Sequence, residues 1–347
     1  MSSATASAHP NLALVKYWGQ VDPSLNLPAN SSISVNLSGA TTTTTVAFDP
    51  RLAKDEVVLN QAPADDVTGL RVIAHLDRVR ALAGTGSRAR VLSWNDFPAA
   101  AGIASPASAF AALSLAAVHA LGLDLAPREL SVLARKGSGS ACRSIPDGFV
   151  EWTAGTDDAS SYAHSLWPCG YWDLRVVTIT FRGAHKAVSS LEGHQAASSS
   201  PFYHPRLRRV EKTLDRVREA LRRRDFRALG MAVEREAMSL HAVAMTSQPV
   251  AYPWLSGIYY WRPETLRVIR RVQQWREDGL PVYLTLDAGP SVHLLCEAEA
   301  LDAVFETAAS LLATLDAGTI VSRPGRGAWL VKETDGTSAP SDPSCSG

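Results

Sequence analysis

Alternating apolar and polar side chains mark the strands of this chain, and apolar residues at three- and four-residue spacing mark its helices. SISVNL alternates and TTTTTVAF is β-branched, so the first half opens with strand-like pieces. VTGLRVIAHLDRVRALAG follows with helical spacing, and RARVLSW reads as a further strand. That strand runs into NDFPAAAGIASPASAFAALSLAAVHALG, a loop of small residues followed by an Ala/Leu helix closed by Gly122. A short helix over APRELSVLARKG leads to a second small-residue loop, GSGSACRS. The second half begins with the strand DLRVVTITF. Amphipathic helices are expected over 205–221 and 226–240, then over ETLRVIRRVQQWREDG, which ends in Gly279. PVYLTLDAGPSVHLLCE reads strand–turn–strand, EALDAVFETAASLLATL as a helix, and GTIVSR with GAWLVKE as a final strand pair. No repeat of fixed period is present. Strands and helices do not alternate strictly. The pattern therefore predicts an α+β arrangement in two lobes, with a boundary between residues 165 and 185, and not a doubly wound sheet.

Composition narrows the class. The 347 residues, 46% of them hydrophobic, suffice for a large core. Basic and acidic residues number 34 each, so the net charge is zero. A neutral chain has no overall electrostatic footprint for nucleic acid, and the basic run ALRRRDFRAL reads as a solvated helix face. Cys142, Cys169, Cys296 and Cys345 form no CxxC pair, which predicts free thiols in a reducing cytosol. No apolar run reaches the roughly 18 residues of a membrane span. MSSATASAHP lacks a signal pattern, and the small polar stretch over 333–347 predicts a disordered tail. The expectation is a soluble cytoplasmic protein with no nucleic-acid or membrane partner.

Three segments carry candidate chemistry. PAAAGIASPASAFAAL follows a strand and opens a helix, so its backbone N–H groups and the helix dipole suit a nucleotide's phosphates. The same small residues also suit tight helix packing, and the segment lacks the lysine of a P-loop. The loop over 137–144 carries Ser138, Ser140, Arg143 and Ser144. It reads either as an anion site built on a guanidinium fork or as a surface turn with a structural arginine. Asp287 ends an apolar strand before Ala-Gly-Pro; it is a general base for an alcohol or a turn aspartate. The aromatic stretch of Trp254, Tyr259, Tyr260 and Trp261 reads as packing, and His241 as structural. His9 and His293 have no metal-ligand spacing.

KYWG, PAAAGIAS, GSGSACRS and DAGP occur in this order, and with them the chain resembles the GHMP kinase superfamily. Within it, the chain is similar to the mevalonate diphosphate decarboxylase branch over residues 9 to 330. The resemblance implies a ribosomal protein S5 domain 2-like N-terminal lobe with a left-handed βαβ unit at 1–175. It implies an α/β C-terminal lobe at 176–332, with the active site in the cleft between. It also implies an enzyme, a lyase of isoprenoid biosynthesis. Such an enzyme uses ATP and Mg2+ to phosphorylate the 3-hydroxyl of a 5-phosphorylated mevalonate, then releases phosphate and CO2. By this resemblance Asp287 is the catalytic carboxylate, Lys16 lies near the reacting centre, and Arg143 holds the substrate carboxylate. Tyr17, Gln20, Ser138, Ser140 and Ser190 are substrate contacts. Pro98, Ala100, Ala101, Gly102, Ala104, Ser105 and Ser108 belong to the ATP phosphate loop. The magnesium ligands are not assigned, and the resemblance allows a homodimer.

The chain departs from the branch at four places. Gln20 stands where diphosphate-using relatives carry a lysine, and Leu191 stands where some carry arginine. Pro106 replaces a serine of the phosphate loop, and Ser291 an asparagine after DAGP. The charge-assisted hydrogen bond that a lysine gives a phosphate, and that Gln20 does not, is worth about 1.5–3 kcal/mol. Gln20 and Leu191 both make the phosphate end less cationic. The opening Ala8-His9-Pro10 is similar to mevalonate 5-phosphate decarboxylases. The expected substrate is therefore the 5-phosphate. The alternatives are the 5-diphosphate and a small-molecule kinase that stops at the phosphate ester. A catalytically inactive relative is the remaining reading, argued from Pro106 and opposed by the intact Lys16, Arg143 and Asp287.

Overall fold

The computed structural model describes residues 2–97, 105–183 and 186–331. In chain order the strands of the first half are β1 (Ser2–Ala8), β2 (Asn11–Val15), β3 (Gln20–Asp22), β4 (Leu27–Pro28), β5 (Ser32–Asn36), β6 (Thr42–Asp49), β7 (Glu56–Leu59), β8 (Ala62–Pro63), β9 (Arg88–Asn95), β10 (Phe149–Trp152) and β11 (Ala163–Trp167). Those of the second half are β12 (Leu174–Phe181), β13 (Tyr283–Thr285), β14 (Val292–Glu297), β15 (Ala317–Ser322) and β16 (Trp329–Leu330). The helices are α1 (Asp66–Ala83), α2 (Ser105–Ala120), α3 (Pro127–Gly137), α4 (Ser190–Ala196), α5 (Tyr203–Arg223), α6 (Phe226–Met245), α7 (Pro263–Glu277) and α8 (Leu301–Leu312).

One sheet runs β16-β1-β6-β9-β7-β8. Its pairs are antiparallel except β7 and β9, which run parallel with α1 between them in the chain. The alanines of α2 explain how closely that helix approaches the sheet. Ala111, Ala112, Ala116 and Ala117 are wholly buried against residues of β1 and β6. The second sheet, β11-β10-β5-β2, belongs to a core shared by both halves. Leu12, Leu14, Ile33 and Val35 pack there with Val210, Leu214 and Val217 of α5 and with Leu229 and Val233 of α6. The third sheet, β13-β14-β12-β15, packs with α7 and α8.

The patterned elements appear as expected, with three differences. GTIVSR and GAWLVKE do not pair with each other. β15 pairs with β12, and β16 pairs with β1 in the sheet of the first half. The bridge between Leu37 and Pro324 marks where the chain crosses back. The GSGSACRS loop contains a 3-10 helix over Gly139–Ser144. β1, β2, β3, β4, β7, β8, β10 and β11, and the helix α4, are additional to the patterned elements, because short elements of small or mixed residues are recognised only beside their partners.

Cys142 and Cys296 are free, buried thiols, whereas Cys169 is disulfide-bonded, contrary to the free-thiol expectation. Tyr260 is buried but Trp254 and Tyr259 are exposed, so the aromatic stretch is only partly packing. No described helix is long and apolar enough to cross a membrane. The tail at 333–347 lies outside the described residues.

Buried histidines make the stability of this fold depend on pH. Burial pushes His75 and His241 down to about 3 and His293 to about 4. The unfolded imidazoles titrate near ~6.5. From there down to the folded values the unfolded chain binds more protons, so stability is full above that pH and is lost as pH falls. Each group contributes at most about 1.4 kcal/mol per pH unit. His75 Nε2 lies 2.8 Å from the Ser114 hydroxyl, a bond that glutamine can keep. Thermal melts should show Tm falling between about pH 7 and about pH 5, less steeply for His75→Gln. Equal slopes in the two proteins would contradict this account.

Candidate active site

A cleft of about 1010 Å³ opens between the two halves. Its walls include the segment after β2, the start of the 3-10 helix, α1, the entry to α4 and the turn between β13 and β14.

Lys16 follows β2, where the register against β5 shifts between Ala13 and Val15. Such a shift re-aims the side chain that follows. Lys16 is 1% exposed; its Nζ donates to Asp287 Oδ1 at 2.7 Å and to the Ala13 carbonyl at 2.6 Å. Its backbone is held as firmly. The Lys16 N–H donates to Glu236, and its carbonyl accepts from Arg206 at 2.8 Å and from Asn30 at 3.0 Å. Arg206 and Glu236 form a buried ion pair of their own. Burial lowers the Lys16 pKa, and the Asp287 carboxylate opposes that shift. For Asp287, burial is the largest single influence and acts upward. Lys16, His293 and Arg143 together outweigh it, and the net shift is downward. At 2.7 Å the two groups form an ion pair, with Asp287 26% exposed. The turn carrying Asp287 is tied to α7 by the Thr265 hydroxyl, which donates to the Pro290 carbonyl at 2.8 Å.

Arg143 lies on the 3-10 helix and is 3% exposed. Its Nε donates to Asn11 Oδ1 at 3.1 Å, one terminal nitrogen donates to Ser32 Oγ at 2.8 Å, and the guanidinium sits over the Trp152 ring. It has no carboxylate ion-pair partner among the described residues. A buried cation without a counter-charge is costly unless an anion completes it. Burial accordingly lowers its pKa. Lys16, Asp287 and Arg143 line one cleft, so a ligand with a hydroxyl and a carboxylate close together can meet all three.

Tyr17, Gln20, Ser138, Ser140 and Ser190 line the same cleft. Tyr17 stacks on His194 at 4.0 Å between centroids and meets Trp152 edge-on. Burial raises the pKa of its hydroxyl, which therefore keeps its proton. Gln20 adjoins that hydroxyl as a side-chain hydrogen-bond partner, and its Nε2 donates to Asn26 Oδ1 at 2.9 Å. Gly19, at φ +90°, lets the chain turn under Tyr203, where an added Cβ would overlap the ring. Gly193 likewise lets α4 close onto Trp18.

Pro98, Ala100, Ala101, Gly102 and Ala104 lie outside the described residues. Ser105 begins α2, and Pro106 beside it lines the cleft in the first helical turn, where proline costs nothing. Ser108 is wholly buried, bonded to the Thr42 hydroxyl at 2.7 Å, and is not among the residues lining the cleft.

Sequence reasoning missed Asn11, Ser32, Lys186 and His194. Asn11 aims Arg143, and its Nδ2 donates to Ser144 Oγ at 2.8 Å. His194 accepts the Gly19 N–H at 3.0 Å, which ties α4 to the segment after β2. Lys186, an exposed residue, lines the cleft beside Gly289. Asn11 and Ser32 flank the motifs but carry no signal of their own. Lys186 and His194 lie in a segment of mixed composition.

Residues 8–163 match the diphosphomevalonate decarboxylase-like N-terminal domain, and residues 176–328 match the mevalonate 5-diphosphate decarboxylase C-terminal domain. A phosphomevalonate decarboxylase of Haloferax volcanii is 35% identical, covering 88% of this chain and 92% of that protein. The diphosphomevalonate decarboxylase mvd1 of Aspergillus fumigatus is 36% identical, covering 83% of this chain and 75% of its own. A solved structure, MDDEF in complex with MVAPP, AMPPCP and magnesium, superposes with a TM-score of 0.89 at 37% identity and covers 96% of this chain and 99% of the other. Two domain matches and these relatives span the cleft and both of its walls: the chain belongs to the mevalonate phosphate and diphosphate decarboxylase family, and its fold is the two-lobed α+β fold of the GHMP kinases.

Proposed function

We propose that the protein is an ATP-dependent decarboxylase of mevalonate 5-phosphate, acting in the cytoplasm with residues 1–175 and 176–332 as its lobes. Its products are isopentenyl phosphate, ADP, phosphate and CO2. The observation that carries this reading is Arg143, a buried guanidinium with no acid of its own among the described residues, in one cleft with the Lys16–Asp287 pair. A kinase of a simple alcohol has no carboxylate for Arg143 to hold.

Asp287 orients the tertiary 3-hydroxyl and accepts its proton as the oxygen–phosphorus bond forms. Lys16 keeps Asp287 ionised and fixes its direction. ATP with magnesium, when bound, supplies the phosphoryl group and neutralises its charge. The residues present fit that group. Lys186, Arg71 and Arg78 bring cations to the cleft, and α2 begins at its rim. Magnesium needs only one or two carboxylates beside phosphate and water oxygens. When the carbon–oxygen bond to the 3-phosphate breaks, positive charge develops at the tertiary carbon beside the Asp287 carboxylate. The carbon–carbon bond to the substrate carboxylate then supplies the electrons of the alkene, and CO2 leaves. Arg143 holds that carboxylate in line until it departs.

For the ester, Gln20 and Leu191 favour the monophosphate, because neither supplies a cation for a second phosphoryl group. The Haloferax volcanii relative carries the corresponding name.

ATP consumption and CO2 release should be highest with mevalonate 5-phosphate when mevalonate, its 5-phosphate and its 5-diphosphate are compared in parallel. A clear preference for the diphosphate overturns the choice of ester, and ADP without CO2 overturns the decarboxylase. Asp287→Asn should lower kcat by about a thousandfold or more while ATP still binds; full activity would remove Asp287 from the reaction. Arg143→Gln should lower kcat/KM by roughly 10- to 100-fold, the worth of a charged hydrogen bond. An unchanged value would free Arg143 from the substrate.

A further inference from the structure

His194 stands on α4 four residues after Ser190, so the two share one face of that helix. Both line the cleft. A neutral imidazole has one donor and one acceptor nitrogen, and the bond made at one decides the other. Here the Gly19 N–H donates to Nδ1 at 3.0 Å. A backbone N–H can only donate, so Nδ1 carries no proton and the ring proton is on Nε2. Turning the ring over would set a carbon against Gly19 and lose the bond. Nε2 has no hydrogen-bond partner among the described residues, and, unlike the ring nitrogens of His241, it is not shielded from solvent.

This donor is fixed in place and in charge. Tyr17 stacks on the ring at 4.0 Å between centroids, and Trp18 packs against it at 4.6 Å. Gly19, whose N–H sets the ring, is itself held at φ +90° against Tyr203. Protonating Nδ1 would break the bond to Gly19. Burial and the positive charges of Arg143 and Arg206 also hold the His194 pKa below the usual imidazole range. His194 thus offers the cleft an uncharged N–H.

We propose that His194 binds the 5-phosphoryl group of the substrate through Nε2–H, as a fixed neutral donor. This role rests on the ester reading above and adds to it a group that meets the phosphate. Gln20 and Leu191 bring no cation to that end of the substrate, and Arg143 is given to its carboxylate. A phosphate oxygen still needs donors, and a hydrogen bond to an ionised acceptor is strong even when the donor is neutral. Two expected substrate contacts adjoin His194: Tyr17 stacks on its ring, and Ser190 lies one turn before it on α4. The imidazole N–H completes such a set without adding the positive charge that a second phosphoryl group would call for.

Two substitutions separate this role from a structural one. The amide of His194→Asn reaches the position of Nδ1 and keeps an acceptor for Gly19, but leaves no donor at Nε2. The amide of His194→Gln reaches the position of Nε2 and keeps the donor, but loses the tie to Gly19. Both lose the ring stack. With mevalonate 5-phosphate, kcat/KM should fall about tenfold in His194→Asn, chiefly through KM, and less than about threefold in His194→Gln. A loss in His194→Asn no greater than that in His194→Gln overturns the proposal, because the tie and not the donor is then what matters. If His194→Asn fails to fold, nitrogen NMR of the wild type decides. The Nε2 resonance, assigned by its absence from His194→Gln, should shift further with saturating mevalonate 5-phosphate than with mevalonate. An equal shift, or none, overturns the contact. A wild-type preference for the diphosphate overturns the ester reading by itself, and His194 is then judged by the same comparison with the diphosphate.

Discussion

The ion pair between Lys16 and Asp287 joins two ends of the chain at the centre of the cleft. A buried ammonium is expensive, and removing its partner would leave an uncompensated charge inside the protein. The surrounding structure reads as provision for this one contact. Lys16 keeps a second acceptor in the Ala13 carbonyl, and its backbone is clamped by Glu236, Arg206 and Asn30. The clamp comes chiefly from α5 and α6, the helices whose apolar faces share a core with β2 and β5. Packing between the halves and the geometry of the reacting centre are thus one arrangement.

Around that pair the cleft is arranged by charge. Arg143 is buried with neutral hydrogen-bond partners, Asn11 and Ser32, so its positive charge stays available for a ligand. Lys16 is paired and cannot take the same role. One cation is committed to the protein's own carboxylate, and the other has only neutral hydrogen-bond partners among the described residues. Asn26 links the end of α3 to the Gln20 amide at the cleft wall.

Much of this is legible in one dimension. The helices over VTGLRVIAHLDRVRALAG and ETLRVIRRVQQWREDG follow from apolar spacing and their capping residues. Lys16, Arg143 and Asp287 stand out in ordered motifs. Asn11, Lys186 and His194 do not, because each acts through a contact distant in the chain. His194 matters by receiving the Gly19 N–H, a bond across the cleft that no local pattern encodes. The last two strands show the same limit. Both are expected from their pattern, but their partners lie in different sheets, since strand pairing depends on which edges the packed helices leave free.

The sequence by itself determined most of the helices, about half of the strands, the family motifs and the chemical identity of the candidate groups, because periodicity and side-chain chemistry are local properties. Only the tertiary structure decided that Lys16 is bound to Asp287 and Arg143 is not. Those outcomes depend on burial and on the direction of hydrogen bonds, and both arise when residues far apart in the chain exclude water together.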